Sequence, residues 1–155
     1  MSDYSVDLIH YEEVSFHPVI QYMLLGVFAL MAYLTTEVPP GISSNILLLV
    51  MVILVIVYMT FRKLRITVSD TRLSVGFGYI RHTVRIDNID TIEATHAPWY
   101  RYGGFGVRMG WDWSVAYIQN WRLGVKVVPK NGRALYFSSN QPDIIVEKIK
   151  PKLAH

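Results

Sequence analysis

The sequence contains no cysteine. This absence excludes disulfide bonds, thiolate metal sites and cysteine nucleophiles, although it does not identify the compartment. Lysine and arginine are absent from residues 1–61, because all 15 of these bases lie at or after Arg62. Residues 1–61 hold five acids, whereas residues 62–155 combine 15 bases with seven acids for a net charge of +8. This asymmetry indicates an anionic partner for the second part of the chain, either a membrane face or nucleic acid.

Formal charge is missing over two long stretches. Residues 14–36 and 38–61 are uncharged, and each can supply about 20 helical residues, or about 30 Å, which matches the hydrocarbon core of a bilayer. The segment that begins at Glu37 contains Pro39, Pro40 and Gly41, which break the helix near the start of the second stretch. A helix that is apolar all round lies in a large core or in lipid. The sequence therefore predicts a transmembrane helical hairpin over residues 14–61, with two buried helices of a soluble core as the alternative.

The positions of the bases predict the orientation of this hairpin. Arg62, Lys63 and Arg65 directly follow the second apolar stretch, whereas the segment between the two stretches has no base. Bases flank the cytoplasmic side of a span by the positive-inside rule. We therefore expect a multi-pass protein of the cell membrane, with two spans and with both termini in the cytoplasm.

Residues 1–13 are polar and acidic. A signal peptide begins with a basic segment, so this composition argues against one. We expect residues 1–13 to be a short flexible or interfacial lead-in, and Glu12 and Glu13 to be a solvated pair near the membrane.

After Arg65 the apolar period changes to two, which is typical of strands. Asn131-Gly132 between two alternating runs predicts a β-hairpin with a type I′ turn, whose two central residues both have positive φ. Ser139–Asp143 has the cap, early proline and early acid of a helix start, and an apolar face follows it. We count about seven strands, from these candidates: 64–69, 72–78, 79–86, 89–95, 123–129 and 133–138, with weaker ones at 106–109 and 114–118.

This order of elements resembles a pleckstrin-homology (PH) domain, and particular stretches are similar to the bacterial PH-domain families. The similarity covers residues 62 to about 150. It is carried by Leu64–Val75, Tyr79–Arg81, Ile86–Ile89, Tyr102–Arg108, Gly124–Val127, Asn131–Arg133 and Ser138–Asp143.

The resemblance implies a fold and very little function. The fold class is an α+β membrane protein, in which the transmembrane hairpin is followed by a cytoplasmic PH-like domain over residues 62–155. That domain is a PH-like split β-barrel of about seven antiparallel strands, capped by a C-terminal helix, and it has no known catalysis. Eukaryotic relatives bind phosphoinositides through a basic loop between the first two strands. Here Ser69–Thr71 is short and carries an acid, so we do not expect that activity.

Aromatic residues and arginines are concentrated in residues 97–113. Such residues can lie at a bilayer interface or stack on nucleobases, and they can equally build the core of a small barrel. The glycines at 103, 104 and 106 are typical of tight turns, and they lack the spacing of a phosphate-binding loop. Together with the bases after the second span, the segment supplies our candidate contact residues: Arg62, Lys63, Arg65, Trp99, Tyr100, Arg101, Arg108, Trp111 and Trp113.

No motif points to catalysis. The five histidines lack metal-ligand spacing, and no nucleophile elbow is present, so we expect no catalytic residue, no metal and no cofactor. We expect a membrane-anchored PH-like binding or scaffold module that contacts a protein partner or the anionic membrane surface. Its partners would be the lipid bilayer and a membrane protein or its own copies, and the nearby bilayer argues against nucleic acid. The alternative is an accessory subunit of a membrane enzyme or transporter that acts on an anionic substrate.

The absence of bases before Arg62 predicts the topology. A reporter fused after His155 should be cytoplasmic, and a reporter inserted between Pro39 and Ser44 should be external. Labelling of the C-terminal domain by an impermeant reagent added to intact cells would contradict this prediction.

Overall fold

The structure is a computed structural model that describes residues 8–16, 18–96, 102–120 and 123–153. The chain forms two compact units. One unit is helical and spans Phe16–Arg62, and the other is an α+β unit built from the chain before Phe16 and the chain from Lys63 onward.

Two helices form the helical unit. They are α1, Pro18–Glu37, and α2, Ile42–Phe61, and each has 20 residues. Neither helix has a buried residue, and both are long and apolar enough to cross a membrane. The prediction of two long apolar helices is therefore confirmed.

Polar side chains of the helical unit bond to backbone carbonyls of the same unit. The hydroxyls of Thr35, Thr36 and Thr60 donate to carbonyls three or four residues earlier, over 2.6, 2.7 and 2.8 Å. The amide of Gln21 donates to the carbonyl of Phe16 over 3.0 Å. These bonds satisfy the polar side chains within the helical unit itself.

Four antiparallel strands form the first sheet of the α+β unit, here called sheet A. They are β1, Leu8–Ser15; β2, Lys63–Ser69; β3, Arg72–Phe77; and β4, Ile80–Arg85. Their order is β1-β2-β3-β4. Along β2 the buried residues Leu64, Ile66 and Val68 alternate with more exposed ones, because successive side chains of a strand point to opposite faces.

Five strands form the second sheet, here called sheet B, after a 3-10 turn at Ile86–Asn88. They lie in the order β5-β8-β9-β7-β6. Their bounds are β5, Ile89–His96; β6, Gly106–Met109; β7, Val115–Ile118; β8, Leu123–Pro129; and β9, Leu135–Ser138. The pairing of β7 with β9 is parallel, so the expectation of antiparallel strands throughout is wrong at this pair. Strand direction depends on which strands meet, and this information is absent from the local pattern.

The chain ends with α3, Pro142–Ile149, which continues as a 3-10 helix over Lys150–Leu153. Ile145 and Ile149 of α3 are fully buried. Phe77 of β3 stacks on Tyr117 of β7 with ring centroids 5.9 Å apart, so the buried faces of the two sheets meet. The predicted α+β class and C-terminal helix are confirmed. The described strands form two sheets and not one closed barrel, and a PH-like barrel stays a prediction.

Strand β1 is an element that the sequence analysis did not predict. Leu8–Ser15 were expected to belong largely to a flexible or interfacial lead-in, and instead they pair with β2 along its length. Val14 is fully buried. The buried carboxylate of Glu12 accepts hydrogen bonds from the Ser139 hydroxyl (2.6 Å) and the Asn140 backbone N–H, just before α3. The expectation of a solvated Glu12 is therefore wrong, because the α3 start supplies the bonds that burial requires.

The β8–β9 hairpin is confirmed, but its predicted turn type is wrong. Val127 pairs with Leu135, which leaves a loop longer than two residues. Gly132 has φ 120°, whereas Asn131 does not have positive φ. The side-chain amide of Asn88 makes two hydrogen bonds to the backbone of Asn131. Its Nδ2 donates to the Asn131 carbonyl over 2.9 Å, and its Oδ1 accepts from the Asn131 N–H over 3.2 Å. A side chain from the β4–β5 connection therefore holds this loop in a wider shape.

The buried side chain of Val14 gives a test of β1. Val14→Ala should lower the free energy of unfolding by about 1.5–3 kcal/mol, because it removes two buried methyl groups and leaves a cavity. All four tryptophans lie after residue 62, so tryptophan fluorescence during urea unfolding in detergent reports on the α+β unit.

Val107→Ala is the matched control, because Val107 lies on β6 and is 36% exposed. It should change the free energy of unfolding by less than about 1 kcal/mol. Equal losses in the two variants would show that β1 contributes no more than an exposed strand.

Candidate binding surfaces

The outer face of sheet A carries two of the predicted contact residues, and both are paired. The Glu13 carboxylate of β1 accepts hydrogen bonds from Lys63 Nζ (2.6 Å), Arg65 Nε (3.2 Å) and the Tyr11 hydroxyl (2.6 Å). The strand register places Glu13 beside Arg65 and one residue from Lys63. An acid that is 50 residues away in sequence therefore partly neutralises these bases.

This cluster perturbs the proton affinity of its members. The hydrogen bond from Lys63 and then the bond from Tyr11 lower the pKa of Glu13 to about 2. The hydrogen bond to Glu13 is the largest cause that raises the pKa of Tyr11. Glu13 therefore stays ionised throughout the physiological range, and the ion pairs persist.

The outer face of sheet A remains strongly basic despite these pairs. Residues Arg72, Arg81 and Arg85 lie on alternate positions that share this face, and all three are exposed. Together with Lys63 and Arg65 they make five bases against the single acid Glu13 among the described residues of this face. Arg62 belongs to the helical unit, where its backbone N–H caps α2 by bonding the Tyr58 carbonyl over 2.8 Å.

The tip of the β6–β7 hairpin presents two of the predicted tryptophans to solvent. Trp111 is 90% exposed and Trp113 is 65% exposed. The backbone N–H of Trp113 donates to the Gly110 carbonyl over 3.0 Å, and Trp113 adopts φ 62°. Positive φ in a large residue costs on the order of 1–3 kcal/mol. The turn therefore holds these rings outward at an energetic cost, and a core role for Trp111 and Trp113 is excluded.

A buried polar bond supports this turn from inside. The hydroxyl of Tyr102 shares a hydrogen bond of 3.0 Å with that of Ser114, which also donates to the Asp112 carboxylate. Arg108, another predicted contact residue, donates from Nε to the Phe105 carbonyl over 3.0 Å and so bonds within its own hairpin. Trp99, Tyr100 and Arg101 lie outside the described residues.

An open cleft of about 690 Å³ lies beside this hairpin tip. One wall is the second half of β4 with the 3-10 turn that follows it, and the other wall is the β8–β9 loop. Its charged lining residues are Arg85, Lys130 and Arg133 with the acid Asp87. The guanidinium of Arg133 lies 5.6 Å from the ring centroid of Trp113, within cation–π range. The cleft and the exposed tryptophans therefore form one continuous surface, here called the cleft surface.

Hydrogen bonds hold the bases of the cleft surface in place. Asp87 accepts from Arg85 over 2.6 Å, and its backbone carbonyl accepts from Lys130 Nζ over 3.1 Å. His82, which also lines the cleft, is half-buried, and this burial lowers the pKa of its imidazole. Bases exceed acids by two along the described lining, which favours an anionic group.

The sequence analysis did not find the cleft, because its bases come from positions 85, 130 and 133. The available signal was the pair of bases that flank Asn131-Gly132, since a hairpin loop brings its flanking residues to one edge. Within the described chain, no three histidine, aspartate or glutamate side chains come together as a metal site.

The cleft surface and the Glu13 cluster lie toward opposite ends of sheet A. Strand β4 starts beside Phe77 and ends beside Arg72, and its six residues span about 17–20 Å. At the Phe77 end, Leu64 pairs with both Phe77 and Val14, and the next pair is Ser15 with Lys63. Ser15 is the last residue of the α+β unit before the helices and Lys63 is the first after them, so this end is here called the chain-entry end. The predicted contact residues thus divide into one group at the chain-entry end and another at the far end.

No protein-family model, curated protein or solved structure matches the chain.

The lowered pKa of Glu13 predicts a pH dependence. Because this pKa is depressed from about 4.5 to about 2 on folding, the stabilisation is complete above pH 4.5 and is lost as the pH falls toward 2. The stability difference between the unsubstituted chain and Glu13→Gln should be constant from pH 5.5 to 7.5 and shrink below about pH 4.5. Urea unfolding at each pH measures it.

Glu147→Gln on the exposed side of α3 is the matched control. A Glu13→Gln variant whose stability follows the unsubstituted chain at every pH would show that the Lys63 and Arg65 pairs contribute nothing.

Proposed function

We propose that this protein is a membrane-anchored binding module. Two spanning helices hold the α+β domain at the cytoplasmic face, and the cleft surface binds an acidic segment of a membrane-protein partner. The proposal rests mainly on the pairing of Ser15 with Lys63. Because of this pairing, the chain before the helical unit and the chain after it continue into neighbouring strands of one sheet.

That pairing constrains any membrane topology. Strands β1 and β2 belong to one sheet, so the chain before α1 and the chain after α2 must lie on the same side of a bilayer. An even number of spans satisfies this condition, and two apolar helices of 20 residues supply it. The bases at 62, 63 and 65 favour the cytoplasmic side.

Exposed apolar side chains support insertion of both helices. Large residues along their length are exposed, such as Tyr22 at 73%, Leu25 at 64% and Ile56 at 59%. A continuous apolar surface of this extent is unfavourable in water and marks a membrane or protein contact. The internal bonds of the threonines are typical of helices in lipid.

The position of the cleft surface favours a protein partner over the protein's own bilayer. The cleft lies along β4 toward Arg85, away from the chain-entry end. Aromatic residues and arginine are enriched where proteins bind one another, and Trp111, Trp113 and Arg133 lie together here. Bases on the rim suit an acidic segment.

The two sheets with a C-terminal helix also support the proposed PH-like family.

Photocrosslinking in native membranes tests this function. Trp111→Cys gives the chain a single thiol, so the purified chain is labelled with benzophenone at this one position before it is returned to native membranes. We expect a discrete crosslinked product, and Arg133→Glu should lower its yield at least about threefold, because charge reversal removes an attraction of about 1 kcal/mol and adds repulsion.

Lys126→Glu is the matched control, because Lys126 of β8 lies outside the cleft lining, where its Nζ pairs with Glu93 over 3.3 Å. It should leave the yield unchanged. Loss of the protein from membranes at alkaline pH would overturn the anchor, and equal yields from Arg133→Glu and Lys126→Glu would overturn the binding surface.

A further inference from the structure

The β3–β4 turn exposes an aromatic and an aliphatic residue together. Tyr79 is 100% exposed and the adjoining Ile80 is 45% exposed. Phe77 pairs with Ile80, so Gly78 and Tyr79 form a two-residue turn, with Gly78 at φ 48°. Glycine at the first position is typical of tight hairpin turns of type II′. The turn thus needs Gly78, but its geometry does not require an aromatic ring at Tyr79.

The strand register places this turn at the chain-entry end of sheet A. Val14, Leu64, Phe77 and Ile80 form one row across the four strands. One more row lies beyond it at this end of the sheet. On β1 and β2 this outermost row is the Ser15–Lys63 pair, and on β3 and β4 it is the Gly78–Tyr79 turn.

Chain length limits how far Lys63 can lie from the last residue of α2. Only Arg62 separates Phe61, the last residue of α2, from Lys63, the first residue of β2. Two Cα steps span at most about 7.6 Å. The headgroup zone on each side of a bilayer is about 5–8 Å thick. A spanning α2 therefore leaves Lys63, which belongs to the outermost row of sheet A, at the depth of the headgroups.

The side chains around the turn suit that depth. Tyrosine has an apolar ring and a polar tip, and it is enriched at membrane interfaces. Arg81 follows the turn. It lies in the same row as Arg65, because Gly76 of β3 pairs with Arg65 on one side and with Arg81 on the other. An aromatic and an aliphatic residue beside bases match an anionic headgroup layer over acyl chains.

We propose that the β3–β4 turn, Gly78–Arg81, inserts Tyr79 and Ile80 into the bilayer interface and so orients the α+β domain. The inference rests on the proposed function, because it requires α1 and α2 to span the membrane. It assigns membrane contact to a turn that the sequence analysis did not select, and it leaves Trp111 and Trp113 at the far end for a partner. The occupant is the lipid interface of the bilayer that holds the helices.

A position-specific fluorophore tests the turn in the full chain. Tyr79→Cys is labelled with a polarity-sensitive dye and reconstituted into vesicles of phosphatidylcholine and phosphatidylglycerol. We expect a blue shift of its emission and a loss of intensity when nitroxide lipids are included. Since Tyr79 is fully exposed within the chain, its replacement should leave the tryptophan emission of the folded domain unchanged.

Thr71→Cys is the matched control, because Thr71 is exposed and lies directly before the opposite end of β3. Six residues of β3 separate the two turns by about 20 Å. The dye at Thr71 should show neither the shift nor the quenching.

Flotation of the same vesicles separates the two hypotheses. Protein that fails to float with lipid would overturn the proposed membrane anchor and the inference with it. Protein that floats, but whose dye at Tyr79 emits as in water, would overturn the inference alone. Equal quenching at Tyr79 and Thr71 would also overturn it, since the domain would then lie flat on the lipid.

Discussion

The pairing of β1 with β2 is the constraint on which the rest of the molecule depends. It joins strands separated in sequence by the whole helical unit, Phe16–Arg62. Closing such a segment costs entropy that grows only with the logarithm of its length, and two helices joined by a short turn reduce the cost further because they bring their ends together. The same pairing makes the helical unit an insertion within the sheet. Helices inserted this way cannot leave the two strand ends on opposite sides of a membrane.

Adjacent residues of β1 show how one strand serves both faces of sheet A. Glu12 points inward, where Ser139 and Asn140 satisfy its buried carboxylate, and Glu13 points outward to Lys63 and Arg65. The inward bond ties β1 to the start of α3, and Lys148 reinforces this tie by donating to the Ile9 carbonyl over 3.0 Å. The outward bonds tie β1 to its neighbour. Two consecutive acids that look like a solvated pair in sequence are therefore separate structural contacts.

The sequence was sufficient wherever a local pattern determines the structure. Apolar alternation predicted β2 to β9 within a few residues, and the uncharged stretches predicted both long helices. Strand β1 was missed because Glu12 occupies an inward position and breaks the alternation, and the hydrogen bonds that satisfy Glu12 come from Ser139 and Asn140, far away in sequence. The parallel β7–β9 pair and the wide Asn131 loop depend on contacts between distant segments. For the candidate site, the exposed Trp111 and Trp113 were selected from sequence, whereas the bases of the cleft were not, because a folded edge assembles them.

The charge asymmetry along the sequence differs from the distribution of charge in the folded chain. In sequence, the acids before residue 62 and the bases after it look like separate regions. In the structure, Glu12 and Glu13 lie within the basic domain, and Glu13 contacts Lys63 and Arg65 of β2. The charge that remains is distributed by strand alternation, which collects Arg72, Arg81 and Arg85 on the outer face of sheet A, while the β8–β9 loop carries Lys130 and Arg133 to the cleft. A Debye length of about 8 Å at physiological salt is shorter than β4, so charges at its two ends act independently. One basic domain therefore carries two charged surfaces, one at the chain-entry end of sheet A and another at the far end, that can act separately.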